Sequence, residues 1–288
     1  METLKAIILG IVQGTTEFFP VSSSGHLVLI PFLFKWDYIP VYYTVMLHFA
    51  TLLALITVFY REAWRIIRSF FLGLFKKDER NKPYFRTSLF IIIATIPAVF
   101  AGIFLEGYVN DLFSNPLLVG IFLLITASIL IFGEKLGRKF EDRNTDDFTS
   151  GQKKQYPKKI GYMSSFITGL GQAIAIIPGI SRSGSTISFT RAFGIKREEA
   201  VRFSLLLSIP VISGAFVFEM IKSSDVILSQ SPVTILNMFA GFIFAYISGY
   251  FSIRFLVKIS KNRNLNIFAI YCIVVAIIIF ILYGIRKI

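Results

Sequence analysis

Six stretches of the chain, 41–60, 87–105, 116–133, 203–221, 235–257 and 267–285, are almost wholly apolar, rich in Ile, Leu and Phe and poor in charge. Runs of ~17–25 apolar residues can cross a hydrocarbon core ~30 Å thick as helices, so each predicts a transmembrane helix. Two further stretches, 4–34 and 160–193, are apolar overall but broken by Gly, Pro and serine clusters. An uninterrupted span tolerates such breaks poorly, so each predicts two short half-helices around a break. The fold class that follows is all-α: a polytopic membrane protein with six transmembrane helices and two re-entrant helix hairpins.

Charge then orders these elements. Segments 61–86 and 134–159 each hold eight Lys/Arg, 191–202 holds four and 258–263 three, whereas 106–115 holds none and 222–234 one. Short cytoplasmic loops carry the excess of Lys and Arg, so the first group is expected in the cytoplasm. That assignment is consistent if the first broken stretch enters and leaves from outside and the second from the cytoplasm. Non-helical backbone at that depth has to line a cavity, because lipid cannot satisfy its peptide groups.

Composition agrees. Hydrophobic types make up 55% of the 288 residues and charged types 16%, against ~25% charged in a soluble domain, which excludes a water-facing globule or a disordered chain. The net charge of +13 is accounted for by orientation in a membrane, and no nucleic-acid partner is expected. The single cysteine, Cys272, excludes a disulfide framework and a Cys-based zinc site. With Gln13, Glu17 and His26 in the first apolar stretch, that stretch is not read as a cleavable signal.

An offset of 159 residues superposes Gly10 on Gly169, Gln13 on Gln172, Ser22 on Ser181, Ser24 on Ser183 and Gly25 on Gly184. Residues 1–159 and 160–288 thus read as two repeats, each a hairpin followed by three spans. Three is odd, so the second copy is expected upside down, an inverted-topology repeat within one membrane domain. Such repeats bring their broken-helix tips together near the middle of the membrane.

The tips carry most of the polar chemistry. The first runs from Gln13 through Glu17, Pro20, Ser22, Ser23, Ser24 and Gly25 to His26, and the second from Pro178 through Ser181, Arg182, Ser183 and Gly184 to Thr186. Gln13 and Glu17, four apart, share a helix face, and Pro20 ends that helix. A carboxylate at membrane depth is costly unless paired; it suits a divalent ion or a proton transfer, or else a structural pair with Arg182. The serines and glycines before each second half-helix form either ordinary N-caps or, with the planar fork of Arg182, an anion site for phosphate. His26 has a side chain fit for general acid/base work. His48, inside a clean span, reads as a helix-contact histidine, and Thr95, Thr126 and Ser208 read likewise.

These motifs closely resemble those of the bacterial undecaprenyl-diphosphate phosphatase family of the bacitracin-resistance type. Its signatures are Glu/Gln-x-x-x-Glu followed by Pro-x-Ser-Ser-x-Gly-His, here Gln13 to Glu17 and Pro20 to His26, and Pro-Gly-x-Ser-Arg-Ser-Gly, here Pro178 to Gly184. The resemblance extends over essentially the full chain. It implies hydrolysis of a polyprenyl diphosphate lipid to its monophosphate, recycling the carrier for cell-wall synthesis and conferring bacitracin resistance. It also implies a divalent cation, magnesium or calcium, a plasma-membrane location among membrane lipids, and a pocket open to the outer face. Residues matching Glu17, His26 and Arg182 are held essential in the family. Gln13 stands where Glu is often found, so the first signature carries one carboxylate. The acid-phosphatase type of lipid phosphatase is excluded, since it needs a downstream histidine and an Arg-Pro dipeptide; no histidine follows His48 and no Arg-Pro occurs.

The mechanism expected places the diphosphate between the tips. Glu17, Ser23, His26 and Arg182 are the catalytic candidates, and Glu17 is the candidate metal ligand. Gln13, Ser22, Ser181, Ser183, Gly184 and Thr186 are the substrate-binding candidates. Either Ser23 attacks phosphorus with His26 as base, or water attacks with His26 or Glu17 assisting. A transporter of a polyprenyl phosphate is the rival, because inverted repeats and broken helices also build transporters. The reading leaves room for a homodimer.

Overall fold

The computed structural model describes residues 2–37, 39–112, 115–149 and 160–287. Among them there is no strand. Six helices are long: α3 (Val41–Phe75), α4 (Pro83–Leu112), α5 (Pro116–Thr149), α8 (Arg197–Lys222), α10 (Pro232–Asn262) and α11 (Asn266–Lys287). All six contain segments long and apolar enough to cross a membrane, and each expected apolar run lies inside one of them. The helices outrun the apolar stretches because Lys, Arg and Glu are themselves good helix formers.

Four short helices form two pairs, α1 (Thr3–Thr16) with α2 (Ser23–Phe34), and α6 (Tyr162–Ile174) with α7 (Arg182–Arg191). A fifth, α9 (Ser224–Leu228), links α8 to α10. At 1.5 Å per residue α1 and α2 are about 21 Å and 18 Å long, short of a ~30 Å core. The breaks fall at 17–22 and 175–181, where the sequence places Pro20 and the Pro178–Gly179 pair.

Small residues decide what the short helices touch. Helix α1 lies along α10, and a Cβ added at Gly10 would meet the Gly241 carbonyl oxygen at 2.1 Å. Helix α6 lies along α4, where a Cβ at Gly169 would come 2.7 Å from the Ala94 carbonyl oxygen. Each short pair is thus carried by a long helix from the other half of the chain, while α5 packs on α11 and α3 on both α8 and α10. Close approach through small residues is how helices associate where lipid removes the hydrophobic drive. The domain boundary expected at 159/160 borders residues 150–159, which lie outside the described residues.

Phe18, Val21, Leu52, Leu55, Val119, Leu123, Ile187 and Leu205 are buried in one cluster formed by the first break and the helices around it. On the outside, Phe100, Phe104, Phe251 and Ile267 are exposed, which suits lipid as the solvent.

Glu134 of α5, buried, accepts hydrogen bonds from Arg197 of α8 and, at 3.4 Å, from Arg138 Nε. Arg191, at the end of α7, lies 3.9 Å from the same carboxylate and donates to the Ile195 carbonyl at 2.9 Å. This network fixes the far end of α7 against α5.

The α1–α10 contact is testable. Gly10→Leu should cost about 1–3 kcal/mol, the usual range for overpacking, and lower the thermal midpoint in detergent. Gly102→Leu, at a position with nothing within 4 Å, should leave it unchanged.

Candidate active site

Helix α1 ends one turn after Gln13, and the Glu17 N–H still donates to the Gln13 carbonyl at 2.9 Å. The two side chains share a face, as their spacing requires, and Gln13 Nε2 donates to Glu17 Oε2 at 2.8 Å. Pro20 follows in the break. Ser22 then caps α2 with its Oγ, accepting from the Gly25 N–H at 3.2 Å. Its φ of 67° is unusual for a residue with a side chain, the kind of local strain that persists where surrounding structure imposes it.

The second tip is built alike. Ser181 caps α7, accepting from the Gly184 N–H at 3.0 Å. Gly179 supplies the φ of +97° that the turn needs. Thr126 of α5 pins this turn, donating to the Gly179 carbonyl and accepting from the Ser181 N–H, both at 2.9 Å. The tips abut: a Cβ on Gly25 would stand 3.3 Å from Gly179 Cα, and Ser183 Oγ donates to the Phe19 carbonyl at 3.0 Å.

Glu17, 5% exposed, is the point of convergence. One carboxylate oxygen, Oε1, accepts from Arg182 Nη2 at 2.8 Å across the tips. The other, Oε2, accepts from Gln13 and from Ser23 Oγ, the latter at 2.6 Å. Ser23 is thereby paired with the carboxylate. The sequence had offered His26 as its base, but the His26 ring is engaged elsewhere. Its Nδ1 donates to the Ser22 carbonyl at 2.7 Å, since a carbonyl only accepts. In the neutral ring that leaves Nε2 as acceptor, and the Tyr271 hydroxyl of α11 donates to it at 2.8 Å. The two rings are stacked, with centroids 5.7 Å apart.

His48 also reaches the site. Its Nδ1 bonds the Thr44 carbonyl at 2.8 Å, and its Nε2 stands 3.3 Å from Glu17 Oε2. The second contact is attractive when both ring nitrogens carry protons. The helix-contact reading of His48 is therefore incomplete: the contact it makes is with the site carboxylate. Tyr271 had no signal of its own, being one tyrosine in an apolar run, and neither partner is close in sequence to either tip.

Gln13, Glu17, Ser23 and Arg182 are thus brought into direct contact. Ser22, Ser181 and Gly184 build the helix caps, and Ser183 joins the tips. Thr186, expected at the phosphate, spends its hydroxyl otherwise, donating to the Arg182 carbonyl at 2.9 Å and meeting Ser204 of α8 at 2.5 Å. Helix rotation turns it away from the break. Thr95 and Ser208 bond back to their own helices.

Among the described residues no group of three His, Cys, Asp or Glu could hold a metal ion. Gln13 Oε1 is, however, buried without a hydrogen-bond partner, so one oxygen donor beside Glu17 is unspent.

The family described as Bacitracin resistance protein BacA matches residues 6–278. The chain is 39% identical over 291 residues to the undecaprenyl-diphosphatase of Methanosphaera stadtmanae, with 98% of each chain covered. It is 40% identical over 285 residues to that of Halothermothrix orenii, covering 99% of this chain and all of the relative. With undecaprenyl-diphosphatase 1 of Shouchella clausii it shares 36% over 283 residues, covering 98% and 96%. The matched span takes in both tips and nearly every helix around them, and the chain accordingly belongs to the bacitracin resistance protein family BacA.

Proposed function

We propose that the two-tip site hydrolyses undecaprenyl diphosphate to undecaprenyl phosphate and inorganic phosphate, with Ser23 as nucleophile and Glu17 as its base. The chain is a multi-pass membrane hydrolase, and the relatives are named for this substrate. The observation that carries the assignment of roles is the 2.6 Å bond from Ser23 Oγ to Glu17 Oε2, with Arg182 on the opposite oxygen of the same carboxylate.

Ser23 gives its proton to Glu17 as Oγ bonds to the terminal phosphorus, and the bond from that phosphorus to the bridging oxygen breaks. The leaving group is the lipid monophosphate. Arg182 exchanges Glu17 for phosphoryl oxygens, and the uncapped N-terminal N–H groups of α2 and α7, which Ser181 and Ser183 hold in place, supply further donors to the charge that develops. Water then attacks the phosphorus, giving a proton to His26 Nε2 once Tyr271 yields its place, while Glu17 returns its proton to Ser23 Oγ as the Oγ–phosphorus bond breaks and inorganic phosphate leaves. His48 and Gln13 hold the Glu17 carboxylate in line. Serine at 2.6 Å from a carboxylate is more than a transport site for a lipid phosphate requires, and this favours hydrolysis over transport.

The cation implied by the family resemblance is compatible with the donors present. Glu17 and the unspent Oε1 of Gln13 would hold it, and oxygen donors with phosphate completing the shell suit magnesium or calcium. When bound it would neutralise charge on the diphosphate oxygens.

Further parts of the reading concern setting. Helices too short to cross support two re-entrant hairpins, and the crossed packing of each hairpin on the other half supports an inverted repeat. The concentration of basic residues in the loops at one end of the spans supports an orientation with those loops in the cytoplasm, and the family resemblance implies a plasma-membrane setting with the tips reached from the outer face. A homodimer is compatible with the exposed apolar surface.

Purified protein in detergent should release phosphate from a C55 prenyl diphosphate, an outcome a pure transporter would not give. Ser23→Ala, Glu17→Ala and Arg182→Ala should each lower turnover by at least about 10³-fold. Brief exposure to substrate labelled on its terminal phosphate should label wild-type Ser23. Substantial residual turnover in Ser23→Ala would favour direct attack by water. Gln13→Ala should raise the magnesium or calcium needed for half-maximal turnover several-fold.

Tyr271→Phe should lower kcat about tenfold with KM and thermal midpoint unchanged, since the hydroxyl positions His26 without touching substrate. His48→Gln, which can still donate to Glu17, should keep most of the turnover that His48→Leu loses.

A further inference from the structure

A charged cavity lies away from the tips. Helix α3 leaves α-helical geometry at Phe59, with φ −109° and ψ 23°. Beside this kink a cavity of ≈ 370 Å³ opens between α3, α8 and α10. Three of its lining side chains are arginines, Arg61, Arg202 and Arg254, against a single carboxylate, Glu62. It shares no residue with the candidate active site. On α3, Arg61 lies thirteen residues beyond His48, about 20 Å at 1.5 Å per residue.

The arginines are not equivalent. Arg202 Nη2 is 3.9 Å from Glu62 Oε2, so the one carboxylate is taken. Arg61 Nε donates to the Tyr60 hydroxyl at 2.7 Å, with its guanidinium 5.5 Å from that ring's centroid. Arg254 Nη1 donates to the Tyr250 hydroxyl at 3.0 Å, again with its guanidinium 5.5 Å from the ring. Neither has a carboxylate partner among the described residues. Each tyrosine takes one N–H of five and steadies the guanidinium by its face, leaving most of the fork unspent. Val58 and Val257 complete the lining, so arginines stand over apolar surface at the end of the spans. That combination is what a phosphate carried on a lipid requires: a fork that matches its oxygens, and a wall its chains can lie against. Basic pockets between transmembrane helices take anionic headgroups on the same physical grounds.

We infer that the cavity between α3, α8 and α10 is a binding site for the phosphate group of an anionic lipid, held by Arg61 and Arg254 and separate from the site of hydrolysis. A phosphate there joins two helices that otherwise present like charges to each other. Two lipids carry such a group: a bilayer phospholipid such as phosphatidylglycerol, and a polyprenyl monophosphate.

The test is native mass spectrometry of delipidated full-length protein in detergent. It would be titrated separately with dioleoyl phosphatidylglycerol, dioleoyl phosphatidylcholine, a C15 prenyl monophosphate and inorganic phosphate. Wild type should retain one anionic lipid at least tenfold more tightly than phosphatidylcholine. Arg61→Gln with Arg254→Gln should lose that preference while phosphate release in detergent is retained, which also shows that the variant folds. Arg61→Lys with Arg254→Lys, keeping charge without the fork, should bind at intermediate strength and stands in should the first variant fail to fold. Selective loss of phosphatidylglycerol binding in the variants identifies a bilayer phospholipid, and selective loss of prenyl monophosphate binding identifies the product class. Lipid retention unchanged in both variants, equal retention of phosphatidylcholine, or binding of inorganic phosphate as tight as that of either lipid would overturn the proposal.

Discussion

A carboxylate held away from water must be surrounded by donors, and Glu17 is where this chain meets that requirement. At the centre of an inserted helix even an Asp costs roughly 2.5–3.5 kcal/mol. Here four side chains answer it. Gln13 comes from the same helix, Ser23 from across the break, His48 from α3 and Arg182 from the other half of the chain. The pairing of the two tips is thus an electrostatic necessity as well as a matter of packing. Removing Arg182 would leave a buried negative charge with one cationic partner fewer, and the tips would lose their polar seam.

The same carboxylate explains why both halves are broken where they are. An unbroken helix would satisfy its own backbone and offer nothing at membrane depth. A break frees N–H groups, and each freed group then has to be met. Ser22 and Ser181 meet part of that demand as caps, and Thr126 reaches in from α5 to hold the second turn. What remains at the starts of α2 and α7 is a pair of helix N-termini on abutting tips, which in the proposed function offer preorganised donors to phosphate oxygens. Short helices cannot support such tips alone. Their contacts with α10 and α4 through Gly10 and Gly169 transfer the support to long helices that span the membrane.

Ser23 occupies the boundary between structure and chemistry. Its hydroxyl satisfies the carboxylate, and in the proposed mechanism the same hydrogen bond is the path by which its proton leaves. His26 is held in a comparable way by Tyr271. In the proposed mechanism both groups rest against partners that substrate displaces or uses, and beside them the Oε1 of Gln13 is buried without a hydrogen-bond partner.

Much of this was legible in the order of residues, because the interactions concerned are local or compositional. Apolar length marks the six spans, and Pro20 and Pro178–Gly179 mark the breaks. The i,i+4 spacing puts Gln13 and Glu17 on one face, and Ser-x-x-Gly marks each cap. The 159-residue repeat was enough to suggest that Arg182 and Glu17 meet. Tertiary structure alone decided which donors share each carboxylate oxygen. His48 and Tyr271 reach the site because α3 and α11 are rotated to present them, while Thr186 is turned to Ser204 by the rotation of α7. Ser23 faces Glu17 rather than His26 because the turn at Ser22 aims it there. Helix rotation and turn direction are set by the sum of many packing contacts, and in a chain so uniformly apolar the sequence carries little record of which face each helix turns inward.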